Sequence, residues 1–177
     1  MTPSPTQTAP APPRAVRPAY PWRNHLHGAL IYAAGDTAAA LLSHQFGWGR
    51  LLGMALLGGL LYAWEIPAYF AWLDRWVPPT PALGRGLARA ALSLLYFNPL
   101  WVARHLLLLK LVAGQAADVS WALLPLAWQS FWWSAPVTFG VNYLLQNRVR
   151  AEWRFVVSSA FSGVMAVYYA LSALWMN

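Results

Sequence analysis

The chain has 177 residues, of which 59% are hydrophobic and only 10% charged, with a formal net charge of +7 and no cysteine. Ordinary soluble domains carry roughly 25% charged residues, so this composition excludes a conventional water-covered globule, and the absence of thiols excludes disulfides and cysteine-based metal sites. Nucleic-acid binding is also excluded as a reading, because the arginines separate apolar blocks and do not gather on a patch with aromatics.

Residues 1–21 are rich in Pro, Thr, Ala and Ser and carry Arg14 and Arg17. Proline at this density blocks a helix, and the expected state is a disordered cytoplasmic tail. The order of its residues is not that of a secretory signal, and its prolines would break the amphipathic helix of a transit peptide. Residues 22–177 are predicted to form an all-α, polytopic membrane helix bundle with about five transmembrane helices. The first span runs from about His25 to Ser43, and HQFGWG leads to a second from about Arg50 to Leu73. The Pro-rich loop DRWVPPTPALGR precedes a third, at roughly Leu87 to Val112. The fourth covers Trp121 to about Leu145, and the basic loop QNRVRAEWR leads to the fifth, Phe155 to Met176.

Topology follows from the basic residues. Arg14, Arg17, Arg23, Arg75, Arg85, Arg89, Arg148, Arg150 and Arg154 fall on one side of a five-span arrangement, and only Arg50 and Lys110 on the other. The positive-inside rule then places the N-terminus in the cytoplasm and the C-terminus outside. Trp22, Trp48, Trp72, Trp76, Trp121, Trp153 and Trp175 stand near span ends, where an indole prefers the interface.

The residues that could carry chemistry are the polar ones inside spans: Asp36, Glu65, Asn98, Arg104, His105, Gln129 and Asn142. A charge at a helix centre costs about 2.5–3.5 kcal/mol on insertion scales, so such groups face the bundle interior and pair, or line a wet cavity. They form either a polar path or buried ion pairs that fix packing. Counting depth along the helices at about 1.5 Å per residue, Arg104 is expected to pair with Asp36 rather than Glu65, and His105 to point away from that pair. Pro67, Pro99, Pro125 and Pro136 are expected to interrupt three spans. Gly28 and Gly35 on the first span, and Ser159, Gly163, Ala166 and Ala170 on the fifth, mark helix contacts. His25 and His27, two apart, would point to different faces of a helix and read as interfacial residues. No cofactor, metal or catalytic constellation is visible, and an enzyme is not expected.

Further motifs carry a family resemblance. Gly35-Asp36 lies in the first span. The second begins at Arg50, has Met54 and Gly58 four apart, and ends in Tyr69-Phe70 and Leu73-Asp74-Arg75-Trp76-Val77-Pro78. Pro99 interrupts the third, and Trp121, Pro125 and Pro136 follow. In these features the chain resembles the Mpv-type family of small peroxisomal and mitochondrial inner-membrane proteins, over about residues 20–160. It departs from the family where a Gly-Pro-x-x-His becomes Ala63-Trp64 with Pro67, and where an Arg after the last Pro becomes Gly140. The family is usually described with four spans. The resemblance implies a weakly selective channel for small solutes or ions that contributes to membrane homeostasis; the alternative is a structural or partner-binding membrane subunit without transport. The Pro-rich tail and the usage of Arg, Ala and Trp favour a bacterial inner membrane over a mitochondrial inner or peroxisomal one. The expected partners are the lipid bilayer and further copies of the chain, with no nucleic acid.

Overall fold

The computed structural model describes residues 22–175, with side chains as far as Tyr168. The tail expected over 1–21 lies outside the described residues. The described chain is a helical bundle. Helix α1 spans Trp22–Leu42, α2 Trp48–Trp76, α3 Leu83–Tyr96, α4 Pro99–Val112, α5 Leu123–Arg148 and α6 Ala151–Trp175. A short 3-10 turn, Ala116–Asp118, precedes α5.

These helices coincide with the five predicted segments, with α3 and α4 as two halves of the third. The break is local chemistry. Pro99 opens α4 at a position where its missing N–H is harmless, and Asn98 caps the helix by accepting from the N–H groups of Leu100 and Trp101 at 2.9 and 3.1 Å. The halves are bent by 44°. The other prolines break nothing: Pro125 sits in the first turn of α5, while Pro136 and Pro67 lie inside continuous helices. Upstream of Pro67, the turn Leu57–Tyr62 widens into π-helix.

Among the described residues one helix, Trp48–Trp76, is long and apolar enough to cross a membrane, and the bent pair α3–α4, taken as one span, makes a second. Of the other predicted spans, α1 and α5 do not meet that test, and the fifth runs on past the residues whose side chains are described. Arg23, Asn24, His25, His27 and Asp36 dilute the apolar character of α1, and Gln129, Asn142 and two prolines dilute that of α5.

Successive segments reverse direction. Gly53 of α2 lies against Val112 at the end of α4, and Gly86 near the start of α3 lies against Tyr143 and Asn147 near the end of α5. Helices α1 and α6 run parallel, with Gly28 beside Phe155 and Gly35 beside Gly163. The starts of α1, α3 and α6 and the ends of α2 and α5 therefore share one end of the bundle. The core contains Tyr32, Met54, Tyr62, Ile66, Phe70, Leu145 and Phe155.

Glycine sets the spacing of α1 and α2. A Cβ at Gly28 would lie 2.2 Å from the Gly58 carbonyl oxygen, and one at Gly58 would lie 2.4 Å from that of Gly28. Backbone blocks backbone here, so no side chain can yield. Gly58→Ala is expected to cost about 1–3 kcal/mol through overpacking. Gly140→Ala meets nothing within 4 Å and should be neutral or slightly stabilising through its helix propensity. Thermal unfolding in detergent checks the pair; equal melting of both variants would contradict the contact.

Candidate functional site

Three charged clusters tie the helices together. The first joins α1 to α2. Two residues past the end of α1, His44 lies in the left-handed region, φ 54°, while the N–H of Gln45 returns to the carbonyl of Ala40 at 2.8 Å. This closure satisfies carbonyls at the helix end and starts α2 alongside α1. Arg50, in the first turn of α2, then reaches back to Asp36. Its Nε and Nη2 donate to Oδ2 and Oδ1, each at 2.7 Å. Both side chains are nearly enclosed, at 10% and 7% exposure.

The second cluster forms where the third segment breaks. Arg104 of α4 donates from Nη2 to both oxygens of Glu65 of α2, at 2.8 and 2.7 Å, and the Tyr96 hydroxyl of α3 donates to Oε1 at 2.6 Å. Tyr96 and Arg104 flank the bend, so the Asn98–Pro99 break lets both meet one carboxylate. Beside them, the Tyr62 hydroxyl and His105 Nδ1 are hydrogen-bonded at 2.8 Å. The His105 ring stacks on Trp101 at 5.7 Å between centroids, and the Arg104 guanidinium lies 5.7 Å from the centroid of that indole. Arg104 remains 39% exposed.

The third cluster lies at the shared end. Asp74, at the end of α2, accepts from Arg89 Nη2 of α3 at 2.5 Å and from Arg154 Nη1 of α6 at 2.8 Å to each oxygen. Arg89 also donates to the Val77 carbonyl and, at 3.3 Å, to Gln146 Oε1 of α5. Arg154 Nε donates to the Val149 carbonyl at 3.2 Å. One carboxylate thus serves two guanidiniums and joins three helices, and Arg89 brings in the fourth through Gln146.

The expected pairing of Arg104 with Asp36 is overturned: Arg104 takes Glu65, and Arg50 takes Asp36. Asp36 matches Arg104 in depth only when counted from the start of α1. Measured from its end at Leu42, Asp36 is six residues in, or about 9 Å, within reach of a long arginine just past a tight link. Arg89 and Arg154 also need correction. Read from the sequence as topology charges, they are buried ion-pair partners.

The seven polar candidates do not form one line. Glu65 and Arg104 meet, with His105 adjacent. Asp36 belongs to a separate pair. Asn98 serves as a helix cap, and Gln129 faces outward on α5. Asn142 is buried but donates to Thr138 of its own helix, at 2.9 Å. The sequence reading missed Arg50, Asp74, Tyr96 and Gln146 as partners. Their one available signal was scarcity: with five acids against twelve basic residues, each acid in or beside an apolar run needed an arginine. His25 Nδ1–H donates to the Gly59 carbonyl in the π turn, at 2.6 Å. Comparison with protein-family models, curated proteins and solved structures gives no match, so the functional reading rests on the chain's own residues.

Proposed function

We propose that the chain is a polytopic membrane protein, crossing the bilayer five times, that acts as a structural or partner-binding subunit. The observation that carries this reading is inverted polarity. Asp36, Arg89, Asn142, Gln146 and Arg154 are buried, while Leu30, Leu56, Leu60, Trp64, Leu95, Trp132 and Trp133 are exposed along the helices. Water would reverse that distribution, whereas hydrocarbon favours it. The alternating direction of the segments supports an odd number of crossings. After Arg89 and Arg154 are set aside as buried, Arg23, Arg75, Arg85, Arg148 and Arg150 remain exposed at one end, which the positive-inside rule assigns to the cytoplasm. A bacterial inner membrane is the proposed location.

Reporter fusions should place the N-terminus in the cytoplasm and the C-terminus outside. A C-terminus on the cytoplasmic side would overturn the five-crossing arrangement.

A second reading, a weakly selective channel for small solutes or ions, is favoured by one feature. At the broken α3–α4 segment Arg104 is paired yet still 39% exposed. Broken helices at membrane depth are tolerated where they border a cavity or protein. Conductance of the purified protein in planar bilayers separates the two readings. The subunit reading expects a silent bilayer, and the channel reading expects currents whose ion selectivity changes in Glu65→Gln.

A further inference from the structure

We infer that the seam between α1 and α6 binds one zwitterionic phospholipid, headgroup at the basic end and acyl chain along the seam; this rests on the membrane reading above. Two open depressions on the same helix pair support it. At the first turns of α1 and α6, Arg23, Asn24, His27, Glu152, Trp153 and Val156 line a cleft of about 360 Å³. Farther along, Ile31, Gly35, Ala160, Gly163, Val164 and Val167 line an apolar groove of about 420 Å³. From His27 to Ile31, and from Val156 to Ala160, is one helical turn on each helix, so the groove continues the cleft.

Depth matches one lipid leaflet. Asn24 to Gly35 is eleven residues, or about 16 Å of helix, close to half of a bilayer core of about 30 Å. At the far end Gly35 and Gly163 bring the backbones together, since a Cβ at Gly35 would lie 2.6 Å from Gly163 Cα.

The cleft offers both signs of charge. Arg23 and the starts of two long parallel helices attract a phosphate. The Glu152 carboxylate and the Trp153 ring attract an ammonium. Glu152 also pairs with Arg150 at 2.7 Å, but both are exposed, at 54% and 79%, and so open a contact is weak and exchangeable. Asn24 gives an independent indication. It is only 7% exposed and lines the cleft, and its amide is not among the enclosed polar groups left without a partner, so it is open to the cleft. An amide open to the cleft can donate to a headgroup phosphate or ester oxygen. A purely anionic headgroup would set its charge against Glu152, which is why the zwitterion fits.

The full chain, purified in detergent, is offered equal amounts of phosphatidylethanolamine and phosphatidylglycerol and read by native mass spectrometry. One phosphatidylethanolamine per chain should be retained, preferred by about tenfold, a difference this technique and the affinity scale resolve. Glu152→Gln should bring the two lipids to parity. Asn24→Leu should lower phosphatidylethanolamine retention without lowering the melting temperature. Ala160→Phe, on the open side of the groove, should reduce retention of both lipids. Inorganic phosphate should not displace the lipid; displacement would mean that a free anion is the ligand and overturn the proposal. Equal retention of both lipids by the unaltered chain, or retention indifferent to all three variants, would also overturn it. So would a lipid-free dimer, which would make the seam a protein interface. Alkaline extraction of membranes tests the membrane reading separately: a chain that stays in the membrane but retains no lipid refutes this inference alone.

Discussion

Asp74→Asn is expected to destabilise the bundle by about 3 kcal/mol, the lower end of the range for breaking a buried ion pair. Arg89 is fully buried and Arg154 is 7% exposed, and both rely on this one carboxylate. Asparagine keeps the shape but removes the charge. Arg89 would then keep the Val77 carbonyl and Gln146, and Arg154 the Val149 carbonyl. Neutral acceptors do not replace a carboxylate for two buried cations. Asp74 itself is 32% exposed, which lets some solvent reach the site and argues for the lower end. Thermal unfolding in detergent reads the loss. Adding Arg89→Met to Asp74→Asn should recover part of it, because the double variant leaves one buried cation in place of two. If Asp74→Asn melts with the unaltered chain, the cluster does not hold the four helices together.

The second large effect is expected at the other end of the bundle. Asp36→Asn should cost about 3 kcal/mol, again as a broken buried pair, and Glu65→Gln clearly less. The difference is enclosure. Arg50 is only 10% exposed beside its partner and also donates to Gln45 Oε1 at 3.4 Å. Arg104 is 39% exposed, and its long side chain can extend away when Glu65 loses its charge. Glu65→Gln should leave the Tyr96 hydroxyl bonded to the amide oxygen, which limits the loss further. Unfolding of the two variants in the same detergent checks the order, and a larger loss for Glu65→Gln would reverse it.

Much of the local structure was legible in the residues. The apolar runs gave the helical segments because a backbone surrounded by apolar side chains must satisfy its polar groups within the segment. Pro99 marked a break because proline cannot continue a helix, whereas Asn98, a candidate for a polar path, instead caps the next helix. Proline position was less legible. Pro125 falls in a first turn and Pro136 inside an unbroken helix, and the sequence does not show which prolines neighbouring helices will accommodate. The glycines of α1 signalled close contacts, but not that Gly28 would meet Gly58 while Gly35 meets Gly163. That depends on the rotation of each helix about its axis, which packing fixes.

The sequence by itself determined that the chain is helical, that its acids are few, and that its basic residues are unevenly distributed between the two ends of the segments. Those properties follow from composition and order along the chain. Which acid meets which arginine was decided only in three dimensions. Asp36 and Arg104 looked matched by depth, yet the tight link after α1 delivers Arg50 to Asp36 first, and the bend at Pro99 turns Tyr96 and Arg104 together onto Glu65. Arg89 and Arg154 looked like loop charges because they stand near helix starts, but the ends of α2 and α5 close over them. An arginine side chain reaches across more than a helical turn, so its partner is set by helix azimuth and link geometry, quantities that no local pattern encodes.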